Sequence, residues 1–279
     1  MRITLLALGL LSAVAGADPA TAELGTEAES VAPGAKIRAG VRFVLEPHWH
    51  VYWRNPGDSG QPPSIRWKLP PGVTVSEIEW PVPDRIPTPP YMTFGYEKEV
   101  LLSVELSVPA GYAASTLPIA ADVEWLVCNP EMCVPGEAKL SVEIAVRPGE
   151  SPKRPMMVGL PMPMGLVSAR YEGDRILVQA PEAPFFFFPA DPGVIEAAAE
   201  QPSSGRGILL TPAKGRKEPV KVLRGVLTFV SSPAWNVEVP VRPAPAPGSR
   251  LTWLVPVALV LVVLFFARRM FSSRKERTA

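Results

Sequence analysis

Apolar and polar residues alternate along most of the chain between residues 23 and 148. Runs such as 100–108 and 119–127 place an apolar side chain at every second position. A period of two is typical of strands with one buried face. Pro and Gly separate roughly seven such runs, as expected for a sandwich of antiparallel sheets. The pattern therefore predicts a mainly β fold with an immunoglobulin-like sandwich over residues 23–148.

A second, smaller β domain is predicted over residues 164–242. Residues 149–163 are rich in Pro and Met without periodicity, which indicates an inter-domain linker. The strands predicted beyond it are 166–171, 175–180, 207–211, 220–229 and 235–241. One short helix is also predicted, because Asp191 is a good N-cap, Pro192 suits the first helical position, and residues 195–199 favour helix.

Four consecutive phenylalanines occupy residues 185–188. The run favours a strand that is buried on both faces. The alternative is an exposed apolar surface that binds a partner or the bilayer.

The first residues have the pattern of a cleaved secretory signal. Arg2 precedes the apolar run 3–11, and Ala15-Gly16-Ala17 provides the small residues that a signal peptidase requires. We therefore predict a signal peptide over residues 1–17, with residues 20–22 as a second possible cleavage site.

Near the other end, residues 251–267 form an uncharged apolar run that would rise about 25 Å as a helix. Arg268 and Arg269 follow it, as the positive-inside rule requires. We predict a tether over 243–250, a single transmembrane helix over 251–267 and a cytoplasmic tail over 268–279. The two ends together predict an exported, membrane-anchored ectodomain.

Composition excludes several classes of protein. With 35 Pro among 279 residues long helices are disfavoured, while 47% hydrophobic residues and 7 Trp exclude a disordered chain. The net charge is +1, and the basic residues of the tail leave the body mildly acidic. Nucleic acid is therefore not an expected partner.

Cys128 and Cys133 are the only cysteines. In an exported protein such a pair is expected to form a disulfide. A loop this short adds only about 2 kcal/mol by the chain-entropy estimate. Cys128 continues the polar face of its strand, so we expect it to point away from the core at an accessible strand end. A structural disulfide and a redox-active one both remain open, whereas two thiols alone do not make a zinc site.

Five motifs follow one another along the first β region: HVYWRNPGDSG at 50–60, WPVP at 80–83, FGY at 94–96, WLVC at 125–128 and CVPGE at 133–137. In this order they resemble the N-terminal periplasmic domain of the DsbD/ScsB family of thiol:disulfide interchange proteins. The resemblance covers residues 37–146, and the second β region is similar to the segment that follows in ScsB-type members.

The resemblance implies a periplasmic domain at the bacterial inner membrane that passes electrons to oxidised thioredoxin-like proteins. By position in the motif, Cys133 would attack the substrate disulfide and Cys128 would resolve it. Tyr91, Met92 and Phe94 would correspond to residues of a cap over the cysteines. Because this chain has no further cysteines, we expect a separate membrane relay to reduce the pair.

Other candidate chemistry is sparse, and no cofactor or metal is predicted. His48 and His50 are two residues apart, which would place them on one strand face with Tyr52, but two imidazoles are an incomplete metal site. No basic residue separates the cysteines and Glu131 lies between them, so we expect little stabilisation of a thiolate.

A second class of function stays open beside the redox one. In it, the chain is a non-enzymatic, anchored β-sandwich that binds or scaffolds an envelope partner, and its disulfide is structural. A readily reduced disulfide favours interchange, and an inert one favours the scaffold.

Overall fold

A computed structural model describes residues 18–149, 152–156, 159–163 and 165–244. The predicted signal peptide (1–17), transmembrane helix (251–267), cytoplasmic tail (268–279) and most of the tether lie outside these ranges. Over the residues described, the chain forms strands and turns without a helix. No segment there is a helix long and apolar enough to cross a membrane.

The first β unit contains the strands predicted to form a sandwich. They are β1 (Ala20–Thr26), β2 (Ser30–Val31), β3 (Lys36–Leu45), β4 (His50–Gly57), β5 (Ser64–Lys68), β6 (Thr74–Val75), β7 (Asp84–Thr88), β8 (Tyr91–Glu97), β9 (Glu99–Ser107), β10 (Thr116–Cys128) and β11 (Cys133–Val146). One sheet has the order β1-β3-β9-β6. The other has the order β2-β11-β10-β4-β8-β7, with β5 paired to β10.

The core of this unit lies between its two sheets. Val41 and Phe43 of β3 and Leu102 of β9 are fully buried on one side, opposite Trp53 of β4 and Val123 of β10. Along β10, buried residues alternate with more exposed ones from Thr116 to Glu124, as the period of two predicts, whereas His50, Val51, Tyr52 and Trp53 of β4 are all buried. The mainly β, immunoglobulin-like fold expected from the pattern is confirmed.

A third sheet forms the second β unit. Its strands are β12 (Ser168–Glu172), β13 (Arg175–Gln179), β14 (Pro184–Pro189), β15 (Ser203–Ser204), β16 (Gly207–Leu210), β17 (Val222–Phe229) and β18 (Trp235–Arg242). Their order is β14-β17-β18-β12-β13-β16-β15. The long strands lie close to the positions that the apolar runs predict.

The helix predicted from Asp191 is wrong. Gly193 has a φ of 65°, which turns the chain directly after Pro192. Ile195 then forms an isolated bridge to Pro212 and is buried. The backbone is therefore paired to another segment, and this tertiary pairing overrides the local preference for helix.

The phenylalanine run is buried on both faces over residues 186–188, as the favoured interpretation predicts. Phe187 lies in the core of the second unit. Phe186 and Phe188 lie in the same cluster as the core of the first unit. Only Phe185, which is 66% exposed, faces solvent.

The linker predicted over 149–163 is held against both units in its described parts. The Arg154 backbone N–H donates to the Glu27 carbonyl at 2.7 Å. Met162 pairs with Trp235 at the start of β18, and its N–H donates to the carbonyl of Ala234 at 2.7 Å. These contacts fix the path of the chain between the two units.

Candidate functional site

The two cysteines close the end of a long hairpin. β10 and β11 are antiparallel, and Cys128 and Cys133 are directly opposite each other as the last pair, with a disulfide and a Cα–Cα distance of 4.1 Å. In the turn between them, the Asn129 side-chain oxygen accepts hydrogen bonds from the backbone N–H groups of Glu131 (2.9 Å) and Met132 (2.8 Å). The Asn129 N–H donates to the Met132 carbonyl at 2.9 Å. The turn is therefore ordered by its own residues.

The two sulfur-bearing residues differ sharply in exposure. Cys133 is exposed, and Met132 beside it is 55% exposed. Cys128 lies on the face of β10 opposite the buried Val127, but it is only 2% exposed. The predicted accessibility of Cys128 is therefore wrong, because β4 places side chains over that face of the sheet. Of the two cysteines, Cys133 is therefore the one that lies at the surface.

Tyr52 of β4 covers the disulfide. Its hydroxyl donates a hydrogen bond to Cys128 Sγ at 2.9 Å and lies 4.0 Å from Cys133 Sγ. Tyr52 is 3% exposed, and burial raises the pKa of its phenol. The hydroxyl therefore stays protonated and can donate to a thiolate, which revises the expectation that little would stabilise one. In the sequence, Tyr52 stands in the HVYWRNPGDSG motif and beside the histidines, and neither position indicates a contact with the cysteines.

Two glycines of the NPGDSG motif allow the loop after β4 to pack against the ring of Tyr52. Gly60 has a φ of 107°, and a Cβ there would lie 2.0 Å from Tyr52 Cε1. Gly57 has a φ of 89°, and its Cβ would lie 2.3 Å from the Met92 carbonyl oxygen. Only glycine fits such positions without displacing a neighbour.

Gly60→Ala is expected to lower the free energy of unfolding by about 1–3 kcal/mol, because the new methyl group strains the backbone and displaces the Tyr52 ring. Urea unfolding monitored by tryptophan fluorescence measures the change. Gly111→Ala is the matched control, since a Cβ there has no atom within 4 Å. Equal stability of the two variants would contradict the role given to Gly60.

His50 lies directly opposite Cys128 in the pairing of β4 with β10. It is 2% exposed, its ring meets that of Tyr52 edge-on with centroids 5.2 Å apart, and its Nε2 has no hydrogen-bond partner. Burial lowers the pKa of His50.

His48, with a φ of 71°, lies in the turn before β4, so the prediction that both histidines share a strand face is wrong. Nowhere in the described ranges do three or more His, Cys, Asp or Glu side chains form a metal-binding group.

The lowered pKa of His50 predicts how stability depends on pH. Below the unfolded value near 6.5, the unfolded chain takes up a proton that the folded chain resists. The free energy of unfolding should therefore be flat above about pH 7.5 and should fall as the pH drops below 6.5, by up to about 1.4 kcal/mol per pH unit.

His50→Phe is expected to remove this slope, whereas His48→Asn, a change at an exposed turn position, should keep it. Urea unfolding at intervals between pH 5 and 8 gives the comparison. A slope that survives in His50→Phe would assign the acid sensitivity to other groups.

Of the three residues matched to a cap, the structure brings neither Met92 nor Phe94 to the sulfurs. Both share the face of β8 that carries Tyr96, which is paired with Val51 in the core. Phe94 is fully buried. The sulfurs lie on the opposite face of this sheet.

Tyr91 lies on the same face of β8 as Glu97, which is paired with His50 beside Cys128. Six residues of extended strand, about 20 Å, separate Tyr91 from Glu97. Tyr91 is 52% exposed. The side chain that covers the disulfide is therefore Tyr52, and a role for Tyr91 as a cap would require its hairpin to move.

Comparisons with known proteins identify a matching family and a solved structure of similar fold. Residues 22–144 match the family described as thiol:disulfide interchange protein DsbD, N-terminal. The crystal structure of the N-terminal periplasmic domain of ScsB from Proteus mirabilis is similar with a TM-score of 0.58 and 20% identity, over 80% of this chain and 94% of that chain. The PapD-like domain 7 of human CEP192 has 15% identity over 53% of this chain and all of its own length, with a TM-score of only 0.22. No curated protein sequence matches the chain.

Proposed function

We propose that the chain, whose residues 22–144 match the DsbD N-terminal family, is a thiol:disulfide interchange module that uses Cys128 and Cys133. The observation that carries the proposal is the unequal exposure of the pair. Cys133 is open to another protein, while Cys128 is buried beneath a hydrogen-bond donor. Such an arrangement gives each sulfur a separate task.

The chemistry is two successive exchanges. A thiolate of the electron donor attacks Cys133 Sγ, a mixed disulfide forms, and Cys128 leaves as a thiolate that accepts the Tyr52 hydrogen bond. The second thiol of the donor, as its thiolate, then attacks the mixed disulfide and releases Cys133. Two electrons enter the pair, and the donor leaves as a disulfide.

Transfer of the two electrons from the reduced cysteines to an acceptor reverses these steps. The Cys133 thiolate attacks the disulfide of an acceptor and releases one acceptor thiolate. Cys128 then attacks Cys133 Sγ in the mixed disulfide, which frees the second acceptor thiol and restores the Cys128–Cys133 disulfide. Water supplies the protons that the released thiolates take up at neutral pH.

We place this module in the periplasm, anchored to the inner membrane through residues 251–267. A separate membrane relay donates the electrons, and thioredoxin-like proteins accept them. The similarity to a periplasmic ScsB domain supports the location. The apolar run at 251–267, followed by arginines, supports the anchor.

The reduction potential of the pair tests this proposal. Purified full-length chain, equilibrated with glutathione or dithiothreitol buffers, is expected to titrate between roughly −120 and −270 mV, the range of exchange proteins. A value below about −300 mV would indicate a structural bond. That result would favour the alternative of an anchored β-sandwich that binds an envelope partner.

A further inference from the structure

β4 connects the cysteine site to the second β unit. Tyr52 faces the sulfurs, while Trp53 and Asn55 face the other way. The Trp53 ring lies 6.3 Å from that of Phe188, edge to face. The Asn55 side-chain nitrogen donates to the carbonyl oxygen of Pro189 at 2.7 Å, in a buried position. Tyr52 thus contacts the disulfide, while the adjacent Trp53 contacts the second β unit.

The strands beside β4 contact the same segment of the second unit. The Phe94 ring of β8 lies 5.3 Å from the ring of Phe188 and 6.4 Å from that of Phe186. The guanidinium of Arg85, on β7, lies 4.5 Å from the centre of the Phe186 ring. β14 therefore contacts three adjacent strands of the sheet that carries the cysteines.

β4 needs this support because its own sheet holds it weakly beyond Tyr52. Its pairing with β10 comprises Val51 and His50 alone. Its pairing with β8 is interrupted between Tyr52 and Gly57. The residues in this gap, which include Trp53 and Asn55, are the ones that contact β14. Contacts with the second unit thus replace the missing ladder.

We propose that the second β unit is a positioning element of the redox site: β14 fixes β4 and thereby keeps the Tyr52 hydroxyl on the sulfur of Cys128. This inference rests on the proposed function only for its biological meaning. The positioning itself concerns one hydrogen bond of 2.9 Å, a contact that a shift of 1 Å in β4 would weaken. A unit that only joined the domain to its anchor would leave the chemistry of the disulfide unchanged.

The test is a double-mutant cycle between Phe188 and Tyr52, read as the rate of disulfide reduction by dithiothreitol in the full chain. Phe188→Ala is expected to slow reduction 3- to 10-fold, because the freed strand withdraws the Tyr52 hydroxyl. In a Tyr52→Phe background the same change should have no further effect. Phe185→Ala is the matched control, since Phe185 lies on the same strand but is 66% exposed.

Unchanged reduction by Phe188→Ala, or slowing by the same factor with and without the Tyr52 hydroxyl, would overturn the proposal. If the melting curve shows that Phe188→Ala does not fold, Asn55→Ala replaces it in the double-mutant cycle, because it removes another contact between β4 and β14. The reductant is a small molecule that needs no partner. Failure here is therefore distinct from failure of the proposed function, which would appear in the reduction potential.

Discussion

Cys128→Ser should trap partners, whereas Cys133→Ser should not. In Cys128→Ser the exposed Cys133 is free to attack a disulfide, and no second thiol remains to resolve the adduct. In Cys133→Ser the remaining thiol is buried beneath Tyr52. With oxidised thioredoxin as the probe, mixed disulfide should form on the order of 100-fold faster in Cys128→Ser. Non-reducing gels and intact-protein mass spectrometry quantify the adduct.

The double variant Cys128→Ser/Cys133→Ser is the blank for this experiment. Adducts that form equally fast in both single variants would show that burial of Cys128 does not divide the roles. Faster trapping by Cys133→Ser would reverse the assignment of attacking and resolving sulfurs.

Tyr52→Phe is expected to slow reduction of the disulfide by dithiothreitol about 10-fold at pH 7. The ring remains over the sulfurs, so the change removes only the hydrogen bond to the leaving Cys128 thiolate. A hydrogen bond to a charged group contributes about 1.5–3 kcal/mol, and each 1.4 kcal/mol corresponds to a factor of ten in rate. Stopped-flow tryptophan fluorescence can follow the reaction.

Tyr91→Phe is the matched control for this change. Tyr91 is exposed at the tip of the β7–β8 hairpin, away from the sulfurs. Its variant should be reduced at the rate of the unaltered chain. A Tyr52→Phe variant with that same rate would mean that the 2.9 Å contact does not stabilise the leaving group.

Local patterns predicted the strands well, because each strand shows its buried face in its own sequence. β9 and β10 follow the alternation of runs 100–108 and 119–127 closely. The helix expected from Asp191 failed for a reason that is not local. Ile195 finds its backbone partner at Pro212, and no propensity of residues 191–199 contains that information.

The site was predictable where it depends on local sequence and not where it depends on tertiary pairing. The two cysteines and their spacing are visible in the sequence, and so is the resemblance of the surrounding motifs. The burial of Cys128 is not, because it depends on the register that places His50 of β4 beside it. Matching by position put Phe94 in a cap, yet its partners are Phe186 and Phe188, which are distant in the chain.

The backbone pairing of the cysteine hairpin and the hydrogen bonds of its turn do not involve the disulfide. The ladder runs from Thr116 opposite Ala145 to the cysteines themselves, and Asn129 closes the turn without help from sulfur. After reduction the two thiols should therefore stay side by side, at a high effective concentration. In the proposed mechanism, Cys128 then attacks a mixed disulfide before a bound partner exchanges with another thiol. The proposed cycle of reduction and reoxidation therefore requires no refolding of the hairpin.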